Sequence, residues 1–95
     1  MDEIRFAWDP AKASANLRKH GVSFEEAETV FADDNALLLD DPGHSVDEER
    51  AILLGLSARL RVVVVCHTLR DDGRTIRIIS GRKGPGASGT SIWNK

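Results

Sequence analysis

Four consecutive valines, Val62 to Val65, constrain this chain more than any other feature. Branching at Cβ stiffens a side chain and favours extended backbone. A run with no apolar–polar alternation fits a strand covered on both faces, so Leu60–Thr68 reads as the central strand of a sheet. Ala51–Leu56 precedes it across a turn near Ser57–Arg59, and Thr75–Ser80 follows a hairpin signal at Asp72-Gly73. Ala36–Leu39 supplies a further short strand, with a polar loop over 40–49 behind it. Ile4–Trp8 alternates and reads as an opening strand.

The segment between the first two strands has a helical period. Asp9 can cap free N–H groups and Pro10 suits a first helical position, so a helix is expected to run to about His20 and stop at Gly21. Lys12, Asn16 and Lys19 form its polar stripe, and Ala13, Leu17 and His20 the more buried one. Ser23 with Glu26 is a capping box, and Phe24, Ala27, Val30 and Phe31 give the second helix an apolar face that ends near Asp33-Asp34. The order β-α-α-β-β-β-β, with hairpin-length links, predicts an α+β fold. Two N-terminal helices pack on one side of an antiparallel sheet of four to five strands.

A chain of 95 residues holds one domain, placed at residues 4–83. Gly84–Lys95 is rich in Gly and Ser and has no period, so this tail is expected to be disordered or held by a partner. The single cysteine, Cys66, excludes an intrachain disulfide and reads as a small buried hydrophobe. His20, His44 and His67 are scattered without ligand spacing, so neither a metal nor another cofactor is expected. No segment resembles a signal peptide or is long enough to span a bilayer, which predicts a cytoplasmic protein with no membrane partner. The net charge of −2 argues against nucleic-acid binding over the whole surface. Acids crowd residues 25–49, however, and from Arg50 onward nine Lys and Arg face only Asp71 and Asp72. The local field of that basic half can still meet a phosphate backbone.

Phe-x-Trp-Asp-Pro-x-Lys at 6–12, Asn-Leu-Arg-Lys-His-Gly-Val-Ser-Phe-Glu-Glu-Ala at 16–27, Asp-Glu-Glu-Arg at 47–50 and Ile-Arg-Ile-Ile-Ser-x-Arg-Lys at 76–83 resemble the BrnT toxins of type II toxin–antitoxin systems. The resemblance runs in order from Ile4 to Lys83. It implies a RelE-like fold, metal-independent RNA cleavage that arrests translation, and neutralisation by a ribbon-helix-helix antitoxin, through which alone operator DNA is reached.

Such cleavage needs a deprotonated 2′-hydroxyl, stabilised charge on the phosphate and a protonated 5′-oxygen. Histidine suits the proton transfers, and Lys or Arg the phosphate. Lys19, His20, His67 and Arg77 are the catalytic candidates, and Arg50, Ser80, Arg82 and Lys83 the RNA-binding ones. Each has a plainer alternative. His20 equally fits a core or helix-end histidine, Lys19 a solvated lysine, and Arg77 an ion pair with an acid such as Glu49. In a regular strand Arg77 and Arg82 point to opposite faces, so both line one face only if the chain bulges near Gly81.

The tail departs from the family, which continues with a basic helix. Codons for Gly84–Lys95, read two nucleotides out of frame, permit Arg-Arg-Glu-Arg-Asp-Ile-Tyr-Leu-Glu, so a frameshift is inferred. Loss of that helix would uncover apolar surface, and self-association is expected. It also keeps open a second function, a catalytically impaired toxin that binds an antitoxin in transcriptional autoregulation.

Overall fold

The computed structural model describes residues 4–40 and 50–84. In chain order the elements are β1 (Arg5–Ala7), α1 (Pro10–His20), α2 (Phe24–Thr29) continued by a 3₁₀ turn (Val30–Ala32), β2 (Leu37–Asp40), β3 (Arg50–Leu56), β4 (Val62–Arg70) and β5 (Thr75–Lys83). The five strands lie in the order β1-β5-β4-β3-β2. The valine strand is central, as expected.

The antiparallel expectation holds from β2 to β5, while β1 joins the edge of β5 in parallel, with Phe6 opposite Ile76. Two helices separate β1 from the rest of the sheet, so no hairpin dictates its direction. The strands also run longer than expected, to Arg70 and Lys83. The β4–β5 link is a four-residue loop in which Asp71, Asp72 and Gly73 take positive φ. Aspartate and glycine tolerate that conformation best.

The caps act as the sequence indicates. The Asp9 side chain accepts from the Ala11 N–H at 3.0 Å, and Gly21, at φ 72°, donates to the Leu17 carbonyl. At α2 only half of the capping box forms. Ser23 Oγ accepts from the Glu26 N–H at 2.9 Å, but the Glu26 carboxylate turns to Ser57 Oγ (2.7 Å) and Arg61 (2.6 Å). Arg61 also donates to the Gly21 carbonyl, so the β3–β4 turn is fastened to the α1–α2 corner.

Val22, Phe24, Ala27, Val30, Leu53, Val63, Val65, Ile76 and Ile78 form the core between the helices and one sheet face. On α1 Lys12 and Lys19 are exposed and Ala13 and His20 half-buried as expected, but Asn16 and Leu17 exchange places: Asn16 is buried, whereas Leu17 is 51% exposed. The Asn16 amide donates to the Val22 and Gly81 carbonyls, both at 2.8 Å, and accepts from the Gly81 N–H at 3.2 Å. Pairing of β1 with β5 ends at Ala7 and Arg77. Beyond that point Asn16 serves the edge of β5 as a neighbouring peptide would. Gly81 permits the approach, since a Cβ there would lie 3.3 Å from Val22 Cγ1 and 3.4 Å from Ala27 Cβ.

Residues 41–49, with His44 and Glu49, and residues 85–95 lie outside the described residues, as do the expectations for the polar loop and nearly all of the tail. Gly84 itself is buried and donates to the Val62 carbonyl at 2.8 Å, so it belongs with the sheet.

Candidate functional site

Alternation along β4 sorts its side chains between the two sheet faces. Val63, Val65 and His67 turn toward the helices, and Val62, Val64, Cys66 and Thr68 turn away. Cross-strand partners share a face. Arg77 lies opposite Thr68, Ser80 opposite Cys66 and Arg82 opposite Val64, so all three turn away from the helices. This is possible because β5 bulges: Cys66 pairs with Ser80 and His67 with Ile78, leaving Ile79 as the extra residue. The bulge that Arg77 and Arg82 require lies two residues before Gly81.

Neither described helix covers this second face. Near the β2–β3 side it is apolar, with Leu37, Leu39 and Leu56 exposed. Toward the β4–β5 loop it becomes cationic. Thr68 stands between Arg50 on β3 and Arg77 on β5, and in the next row Thr75 stands between Arg5 on β1 and Arg70 on β4. Four arginines therefore alternate with two threonines across four strands. Arg77 has no ion-pair or hydrogen-bond partner among the described residues, and Glu49, its expected alternative partner, lies outside them. Arg82 is exposed on the same face, roughly 15 Å along β5 from Arg77.

The remaining candidates lie elsewhere. Lys19 is exposed and His20 half-buried at the C-terminus of α1. Lys83 joins them on the helical side, since a Cβ at Gly21 would lie 3.8 Å from its Cε and Nζ. Three basic residues at a helix C-terminus also complement its dipole. His67 is 3% exposed, with its ring edge-on to Phe31 at 4.9 Å. Burial holds its pKa below the ordinary histidine value, partly opposed by a contact of Nδ1 with the Val65 carbonyl at 3.5 Å. The sheet separates it from Arg77. An apolar groove of about 490 Å³, lined by Ile4, Phe6, Phe31 and Ile76, also lies on the helical side, away from the arginines.

Sequence reasoning did not single out Arg5, Arg70, Thr68 or Thr75. The regular spacing of β4 against β3 and β5 was available from the strand assignments, but a threonine near a strand end carries no signal beyond β propensity. Cys66, expected to be buried, is half-buried. Among the described residues no group of His, Cys, Asp or Glu has the arrangement of a metal site, and no helix is long and apolar enough to cross a membrane.

A family model described as the ribonuclease toxin BrnT of type II toxin–antitoxin systems matches residues 8–85. The crystal structure of the Brucella abortus ribonuclease toxin BrnT, at 1.1 Å, is similar in fold, with a TM-score of 0.63 and 22% identity. The similarity covers 88% of this chain and 97% of that one. No curated protein matches in sequence.

Proposed function

Because this chain belongs to the BrnT family of type II toxin–antitoxin ribonuclease toxins, we propose that it cleaves RNA on the helix-free face of its sheet. On this reading cleavage needs no metal ion and arrests translation in the cytoplasm. The observation that carries the reading is the pair of arginine–threonine rows. Guanidinium groups stay charged and present planar forks of donors that match phosphate oxygens. Attack by the 2′-hydroxyl builds charge on the non-bridging oxygens, where fixed cations lower the barrier. Arg77 is assigned that role, while Arg50, Ser80 and Arg82 bind the backbone along the same face.

His20, Lys19 and Lys83 lie on the helical side of the sheet from Arg77, and they are assigned to hold a neighbouring phosphate at the end of α1. His67 is assigned to the core. The family implies an antitoxin partner, for which a ribbon-helix-helix protein is proposed, with operator DNA reached only through it.

The test is cleavage of a defined RNA by the purified chain in excess EDTA. Arg77→Ala is expected to lower kcat/KM about 10²-fold, the usual scale for a lost charge stabiliser. A requirement for added divalent ion, or full activity in Arg77→Ala, overturns the mechanism. One observation favours a second reading, a partner-binding toxin with little activity. Among the described residues neither arginine–threonine row contains a histidine, and the Asp71 carboxylate beside the second is held by the Thr75 hydroxyl. RNA retained uncut by the wild-type chain, with the antitoxin still bound, would select it.

A further inference from the structure

Thr68 is the most anomalous polar residue on the described part of the sheet. It is 2% exposed, and its Oγ1 has no hydrogen-bond partner among the described residues. A buried hydroxyl without a partner carries its desolvation cost uncompensated, and native structures contain few. Valine is the same shape without that cost, and β4 uses it at four successive positions. The comparison with Thr75 sharpens the anomaly. Thr75 occupies the equivalent place in the neighbouring row, and its hydroxyl donates to Asp71 at 2.7 Å. Thr68 has no such carboxylate among the described residues.

Thr68 does have two arginines, Arg50 and Arg77, directly across from it on either side. Cross-strand partners carry their Cβ atoms about 5 Å apart, within the length of an arginine side chain. Two planar cations around one hydroxyl donor match a tetrahedral oxyanion.

We propose that Thr68 is a ligand-binding residue, its hydroxyl donating to a phosphate oxygen held between Arg50 and Arg77. The subsite rests on the reading of this face as the RNA-binding one and adds to it a neutral donor at its centre. Phosphate diester of the RNA backbone is the ligand class. In the unliganded chain the hydroxyl is closed off from bulk water. Entry of a ligand therefore requires the group that closes off Thr68 to move aside.

The experiment titrates the whole chain with inorganic phosphate, following amide chemical shifts of β3, β4 and β5 together with the melting temperature. Thr68→Val removes the hydroxyl at constant shape, and Thr68→Ser keeps it. Thr68→Val is expected to weaken phosphate binding about tenfold while melting no lower than wild type without phosphate. Thr68→Ser should bind within about threefold of wild type. Unchanged affinity in Thr68→Val, absence of shifts at Thr68 and Arg77, or a lower melting temperature for Thr68→Val without phosphate overturns the proposal. RNA cleavage, measured separately, tells the two readings apart. A chain that binds phosphate through Thr68 yet leaves RNA intact removes the ribonuclease reading alone. Cleavage with phosphate affinity indifferent to Thr68→Val removes the subsite alone.

Discussion

His67 ends the inward-facing row of β4 with its ring against Phe31 and almost no surface in water. Burial opposes protonation of the folded chain, whereas the unfolded chain takes up its proton near the ordinary value of 6.5. Stability attributable to this residue is therefore complete above that value. It falls as the pH drops from there toward the lowered folded value. The slope reaches at most about 1.4 kcal/mol per pH unit. His67→Phe is expected to fold, to lose that acid-sensitive component in urea titrations between pH 7 and 5, and to cleave RNA at the wild-type rate. A large loss of cleavage without loss of stability would return His67 to the catalytic set. Asn16 makes the complementary point. Its type and position on a polar stripe read as solvated, and nothing local reveals that Gly81, 65 residues away, needs its amide.

Among the elements, most boundaries were legible because local chemistry sets them. Asp9 and Ser23 begin helices through side-chain oxygens that accept from nearby backbone N–H groups, Gly21 ends one through its own N–H, and the valine run is strand-like wherever it sits. The parallel direction of β1 and the extra residue at Ile79 were not legible, because each depends on pairing between distant segments. The placement of Arg77 and Arg82 on one face follows from that single bulge. The tie between the β3–β4 turn and the α1–α2 corner is another long-range device. Hydrogen bonding to Arg61 holds the Glu26 carboxyl below its ordinary pKa, although burial opposes the shift. Its contribution is thus present above the ordinary value of 4.5 and is lost as the pH falls through the lower folded value. Glu26→Gln should cost about 1–3 kcal/mol at pH 7 by urea denaturation, and the difference from wild type should shrink below pH 4. A pH-independent difference would assign the effect to packing instead.

At the scale of the whole molecule, β5 supports nearly everything else. It pairs with β1 on one side and β4 on the other, receives α1 through Asn16, and supplies Ile76 and Ile78 to the core. A chain ending at Gly73 is expected to lack a cooperative thermal transition and near-ultraviolet dichroism, whereas one ending at Gly84 should retain both. An unfolded chain ending at Gly84 would extend the domain beyond residues 4–83. The position of β5 also has a temporal meaning. Synthesis proceeds from the N-terminus, so β1 and both helices emerge long before the strand they rest on. Until Thr75–Lys83 follows, β1 lacks its pairing partner, α1 lacks the strand edge that Asn16 serves, and the arginine rows lack Arg77. The nascent chain therefore lacks the complete cationic surface until β5 has emerged.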